Sequence, residues 1–474
     1  MMPDDFAGAV FREGFGMSDA PAATDTAEKP VPRPANENPW YLLATLHGEQ
    51  PKGIERWNFN EELHAKNRQA WNRYMATFAR PDVLEAARAL KNADGSPRIP
   101  PEDLQPLDED GMADLRKKFR GRGGGEWPEG LINFSKTAFT RAVICNGLWF
   151  AQHVNFGDTT FSRGAVFDSA TFAGSAEFSS ATFSRGAVFG SATFAGDAEF
   201  DSATFSGAAW FDNATFSGSA NFSSATFSRE AGFDSATFSG FANFSSATFS
   251  GSAEFSSATF SNVVRFENAK FQSSTSFAGA EFVKSPPKFH GATLHEGTQW
   301  HGVEWPKKLP NREEAQQHVY NYERLKQEME RLKKHEDELI FFAREMRAKR
   351  IVDGEWSAAG LLNWAYDAFS AYGRSVARPA LGFAVTLLLG AVPIALWMGG
   401  ARPDCFWLHK LKNALWMSTA NMLAPLNFRK DFFDADMLAA LPFWMKLLSS
   451  GQTILGPFFL FLIGLALRNR FRLR

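Results

Sequence analysis

Apolar positions along the chain follow several different rhythms, and each predicts a different element. From Phe156 to Phe282 phenylalanine recurs at alternating intervals of five and six residues, without a slip. From Phe167 onward, alanine stands two residues before the ring in 20 of 22 cases, Val264 and Thr275 being the exceptions. An amphipathic helix needs an apolar period near 3.6, and a half-buried strand one near 2. Neither fits. The spacing predicts a chain that turns a corner after every short side, with Phe and Ala inside and Ser, Gly, Asp and Thr outside. Gly- and Ser-rich corners are expected to supply the tight turns.

A longer interval sets the number of sides. Arg163 and Arg185 lie 22 residues apart and Arg229 two further steps along; Gly174, Gly196, Gly218 and Gly240 keep the same interval. Val166 and Val188 alternate with Glu177 and Glu199. One lap is therefore four sides, alternately five and six residues long. Laps stacked at the strand spacing make about six coils between Phe156 and Phe282, a rod roughly 28 Å long. Thr171, Thr193, Thr215, Thr237 and Thr259 are expected to stack in a row. Upstream, Phe134, Phe139, Ile144 and Phe150 read as irregular early sides; downstream, Phe289, Leu294, Trp300 and Trp305 carry the pattern on.

With its Ala170-Thr171-Phe172 and Ala176-Glu177-Phe178 units, this run resembles the pentapeptide-repeat family in its Phe-rich form. The resemblance implies a mainly β fold, a right-handed quadrilateral β-helix over residues 131–306. The chain departs from the plainest form of that repeat by inserting a sixth residue on every second side.

The flanks read differently. Residues 1–38 are rich in Pro, Ala and Asp with no apolar leader stretch, and predict a disordered tail that starts in the cytoplasm. Residues 39–130 predict a helical region that caps the N-terminal end of the solenoid, with one amphipathic helix over Asn60–Met75. Gly121–Gly125 reads as a linker. Residues 310–352 predict one long amphipathic helix with an apolar stripe at Tyr322, Leu325, Met329, Leu332, Leu339 and Met346. The stripe is either a helix face lying on its own protein or a coiled-coil seam that sets a homo-oligomer. Residues 353–378 predict a juxtamembrane helix. Two charge-free stretches, within 379–398 and 447–467, approach the ~20 residues needed to cross a bilayer. Arg374 and Arg378 precede the first, and Arg468, Arg470, Arg472 and Arg474 follow the second. Positive residues stay on the cytoplasmic side, so both termini and the β-helix are expected in the cytoplasm. The basic tail 468–474 ends the chain, and the location expected is a bacterial inner membrane. The C-terminal part also resembles other membrane proteins of this family, in Phe341–Arg350 and Leu465–Arg474.

Composition sharpens the picture in three places. There are 48 Phe against 6 Tyr, as one element repeated many times requires. The 50 basic and 52 acidic residues nearly cancel, so no chain-wide field recruits nucleic acid. Two cysteines, Cys145 and Cys405, stand far apart, against a disulfide framework. No motif for nucleophilic, metal or cofactor chemistry emerges, so no enzyme and no cofactor is expected. His47, His64, His318 and His335 read as surface residues.

Segment 399–446 reads as an extracytoplasmic or re-entrant amphipathic stretch. Two readings of its helix stand open: a helix at the bilayer surface, or the dip of a two-span channel with Ser418, Thr419 and Asn421 lining a degenerate pore that lacks filter glycines. On the β-helix, the candidate contact residues are Arg163, Arg185, Arg229, Glu177 and Glu199. The partners expected are membrane lipid and an unidentified protein. An alternative makes the rod a DNA mimic that inhibits a topoisomerase; with 12 acidic and 5 basic residues over Phe156–Phe282, it is sparsely charged for a duplex.

Overall fold

The computed structural model describes residues 32–53, 59–92, 94–307, 310–399, 407–423 and 441–472. Most of the tail expected over 1–38 lies outside the described residues. Its last part does not fit a disordered tail. Arg33–Pro34 pairs in parallel with Thr137–Ala138, the Arg33 N–H donating to the Lys136 carbonyl at 2.7 Å, and Asn38 caps the first helix.

From Ile132 to Phe282 two- and three-residue strands stack into four parallel sheets, seven coils deep. Sides I to IV begin at Ile132–Asn133, Thr137–Phe139, Val143–Ile144 and Trp149–Phe150. Each strand pairs with the one a full lap away. Thr182–Phe183 lies between Thr160–Phe161 and Thr204–Phe205, and Ala176–Glu177 between Val154–Asn155 and Ala198–Glu199. There are seven coils instead of six because the early sides are full members. Ile144 is not their inward residue. It points out, and Cys145 fills the ring position, which keeps the six-then-five interval between Phe139 and Phe150.

The rings and their alanines are almost completely buried. Phe178 stacks on Phe200 with centroids 4.8 Å apart and planes parallel, while Phe189 meets Phe178 edge-on at 5.4 Å. Strand spacing sets the first distance and the quadrupole of the ring favours the second.

The corners come in two kinds. Between sides I and II, and between III and IV, the third residue of the turn is left-handed: Ser169, Ser180, Ser191 and Ser202 have φ between 52° and 58°. The Ala170 N–H closes one such turn on the Phe167 carbonyl at 3.0 Å. Serine, and not glycine, therefore takes the positive φ. Glycine serves close approach between coils: a Cβ on Gly196 would stand 2.6 Å from the Gly174 carbonyl carbon directly beneath it.

Both ends are sealed by helices. At the N-terminal end are α1 (Pro39–Ala44), α2 (Glu61–Phe78), α3 (Pro81–Ala89) and α4 (Glu109–Gly121). Helix α2 starts where Asn60 accepts from the Leu63 N–H, and its buried Trp71 packs edge-on against Phe150. The Asn72 amide acts as one more strand: it donates to the Gly147 carbonyl at 3.1 Å and accepts from the Trp149 N–H at 2.8 Å. His64 is buried, not a surface residue, because its Nε2–H donates to the Asn146 carbonyl at 2.8 Å.

At the other end the single long helix expected over 310–352 is a hairpin, α5 (Arg312–Arg331) and α6 (His335–Asp353). It breaks where Lys333 turns left-handed, φ 58°. Tyr322, Leu325 and Met329 are buried on the protein itself, the first of the two arrangements the stripe allowed; His318 on the same helix is buried as well. Glu328 and Arg331 close the open edge, Glu328 Oε1 accepting from the Leu294 N–H at 2.9 Å and Arg331 Nη2 donating to the Leu294 carbonyl at 2.8 Å. Among the described residues four helices follow: α7 (Ala358–Ser370), α8 (Ala377–Gly399), α9 (Trp407–Met422) and α10 (Phe443–Arg472).

Candidate interaction surface

The five residues singled out on the solenoid do not form one site. Arg163, Arg185 and Arg229 are exposed along the corner between sides II and III; Arg185 lies one coil above Arg163, and Arg229 two coils further. Among the described residues none of the three forms an ion pair. Arg141 heads the same column, missed in the sequence although it keeps the 22-residue interval; it is held by Glu49 at 2.7 Å. Glu177 and Glu199 pair in register on side I, across side II from the arginines. They are engaged locally: Asn221 Nδ2 donates to Glu199 at 2.8 Å, and His153 Nε2 stands 3.9 Å from Glu177. Other acids on the coil serve the stack itself. Asp197 and Asp212 accept the backbone N–H of Ser219 and Asp234 in the next coil, at 2.8 and 3.1 Å.

The three residues considered for a pore also separate. Helix α9 packs against both α8 and α10, which also pack on each other. Ser418 and Asn421 are fully buried there, and Thr419 is half-exposed, facing a shallow groove with Leu411, Leu415 and Trp416. Ser418 Oγ donates to the Leu387 carbonyl at 2.7 Å, and Asn421 Nδ2 donates to Gln452 Oε1 at 3.2 Å. Gln452 reaches back to the Thr386 carbonyl at 3.1 Å and to Ser418 at 2.5 Å, passing Gly390, where a Cβ would collide with it. Gln452 was not foreseen; an amide in an apolar 21-residue stretch is the trace it leaves in the sequence. Residues 400–406, with Cys405, and 424–440 lie outside the described residues.

Helix α6 joins the solenoid to this bundle. One side belongs to the solenoid: Phe341 meets Trp300 and Trp305 edge-on at 5.5 and 5.4 Å, and the Arg344 guanidinium lies 4.9 Å from the Trp305 ring. The other side belongs to α7: Arg347 grips Asp367 through two bonds of 2.9 and 3.0 Å, and Phe342 packs edge-on against Tyr372. Phe341–Arg350, noted in the sequence as a family-like helix end, is this junction.

Stacked four-sided coils with a parallel ladder on every side define the class as a β-solenoid. Residues 156–304 match the family of pentapeptide repeats in nine copies, among them 156–204, 200–248, 233–281, 244–293 and 255–304. Residues 156–304 are thus a pentapeptide-repeat region, Phe-rich in its stacked columns, and among the described residues two apolar helices toward the C-terminal end are long enough to cross a membrane. No curated protein and no solved structure matches it. Among the described residues no group of three His, Cys, Asp or Glu converges as a metal site.

Proposed function

We propose that the protein is a membrane-anchored scaffold which holds its β-solenoid in the cytoplasm, at a bacterial inner membrane, for a partner protein to grip. The row of exposed arginines, without ion pairs among the described residues, carries this reading. Three cations in line on a rigid corner fit an acidic partner surface, and a spare charge of this kind adds little to the solenoid's own stability. Anchoring draws on α8 and α10, whose outward side chains, Leu381, Leu388, Ile454 and Phe461 among them, are exposed and apolar while Ser418, Asn421 and Gln452 face inward. That arrangement suits lipid outside and polar groups satisfied within.

The test is photocrosslinking in cells, with the reactive residue at position 185 and, as control, at Thr226 on side II. A discrete adduct from position 185, abolished when Arg163 and Arg229 are both changed to Glu, is the expected result. No adduct at position 185, or one that survives the reversal, removes the proposal. Membrane fractionation tests the anchor separately. A conducting role has one observation in its favour, the packing of α9 against both long helices. It predicts ion flux in liposomes that falls when Asn421 is replaced by Leu; a flat record at several voltages ends that reading.

A further inference from the structure

Helix α7 is built inside out. Its polar side chains face the protein. Asn363 donates to the Met346 carbonyl at 2.7 Å and accepts from the Tyr372 hydroxyl at 2.6 Å; Asp367 holds Arg347; Ser370 Oγ accepts from the Gly373 N–H at 3.1 Å. The opposite face carries Leu361, Leu362, Trp364 and Phe369, which fall on one side at the helical period. Leu362 is 74% exposed and Trp364 54%, and Trp356, just before the helix, is 88% exposed. A surface helix of a water-soluble domain has the reverse arrangement.

What covers that face follows from its surroundings. Phe369 touches Phe458 and Phe459 of α10, and the outer face of α8, beginning at Leu381, extends the same apolar surface. Asn469 Nδ2 donates to the Gly373 carbonyl at 3.3 Å, so the end of α10 lies beside the turn from α7 into α8. Arg374 and Arg470 line one groove with Gly373 and Asn469, and Arg378 Nη1 donates to the Asp367 carbonyl at 3.0 Å, so cationic side chains gather at this level. Apolar side chains, tryptophans and a cationic rim at the mouth of two apolar helices match the boundary layer of a bilayer.

We propose that α7 lies in the interfacial layer of an anionic lipid bilayer, its Leu361–Leu362–Trp364 face toward the acyl chains, and sets the angle at which the solenoid leaves the membrane. This rests on the reading that α8 and α10 cross a membrane. Because Asp367 is clamped to α6, which also grips the last coils, the orientation of α7 is passed to the rod.

The test uses the full chain with Cys405→Ser in nanodiscs of phosphatidylcholine with phosphatidylglycerol. An environment-sensitive fluorophore is attached at Leu362→Cys, at Leu388→Cys within α8, and at Phe78→Cys in the cap. Cys145 is buried and its thiol is pushed up to about 12, so it resists labelling. The expected result is quenching at position 362 by a shallow spin-labelled lipid, at 388 by a deep one, and at 78 only by aqueous iodide, with iodide quenching at 362 several-fold weaker than at 78. Removing the phosphatidylglycerol is expected to raise iodide access at 362 and leave 388 unchanged; equal access in both lipids removes the anionic part. Lipid contact at 388 with free iodide access at 362 overturns the inference and leaves the spans standing. Loss of lipid contact at both positions overturns the spans as well. Shielding of 362 from iodide and from lipid alike assigns the face to a second copy of the chain and overturns the lipid assignment.

Discussion

Every eleventh residue of the solenoid, from Lys136 to Gly279, sits at positive φ, and eight of these positions are serine. A non-glycine residue in that region costs about 1–2 kcal/mol. Glycine there removes this cost but adds about 0.5–1 kcal/mol of lost backbone freedom. Ser202→Gly is therefore expected to stabilise the rod slightly, and Ser202→Val, with its branched Cβ, to destabilise it clearly; denaturant midpoints for the pair decide this. A second residue-scale expectation concerns His64, whose pKa burial pushes down from 6.5 to about 4 against the pull of the Asn146 carbonyl. The folded cap keeps the ring neutral while the unfolded chain takes up a proton near pH 6.5. Its contribution is thus complete above about pH 6.5 and is lost as pH falls toward 4, by about 1.4 kcal/mol per unit. Hydrogen exchange of the N-terminal cap, compared at pH 7.5 and 5, is expected to accelerate at the lower pH, and His64→Gln, which keeps a donor, to flatten the response. These two features show why sequence reading stops short at this scale. Serine is not a marker of left-handed backbone, and a histidine in a polar-looking helix does not reveal the carbonyl it meets 82 residues away.

At the scale of elements the solenoid and the helical cap at its N-terminal end were legible, but the contacts that close the two ends were not. The inward phenylalanines and alanines and the 22-residue lap follow from spacing alone, and the structure keeps all of them. The end seals depend on contacts across long sequence distances, such as Asn72 with Trp149 and Glu328 with Leu294. The break in 310–352 escaped because neither Gly nor Pro marks Lys333, and the burial of the helix foreseen in 399–446 escaped because its partner, Gln452, sits inside a stretch read only for its apolarity. Removing a seal leaves buried backbone groups unpaired, at about 1–3 kcal/mol each. Asn72→Ala is therefore expected to speed amide exchange in the first coil and leave the last one protected, and Glu328→Ala to do the opposite. Exchange rising equally along the rod would mean that the ends are not independent.

Taken as a whole molecule, the rod resembles a stack of nearly identical coils whose stability is a sum of neighbour terms. Deleting residues 201–222, one full lap, is expected to give a folded protein with both caps seated and a rod shorter by about 4.8 Å. Deleting 201–211, half a lap, leaves rings to stack but turns the C-terminal cap to the opposite side, so the arginine corner no longer runs straight. Small-angle scattering and thermal melting separate the two outcomes, and equal melting for both deletions would contradict the lap.

The sameness of the Phe core has a cost for folding. A strand that slips by one full lap finds an equivalent partner, so the aromatic interior cannot tell the correct threading from a neighbouring one. Only a chain begun at the proper coil brings Trp149 under Asn72 and Leu294 under Glu328 together. The two lids thus act as proofreaders of alignment, and the middle of the molecule is free to change length over evolution while its ends are not.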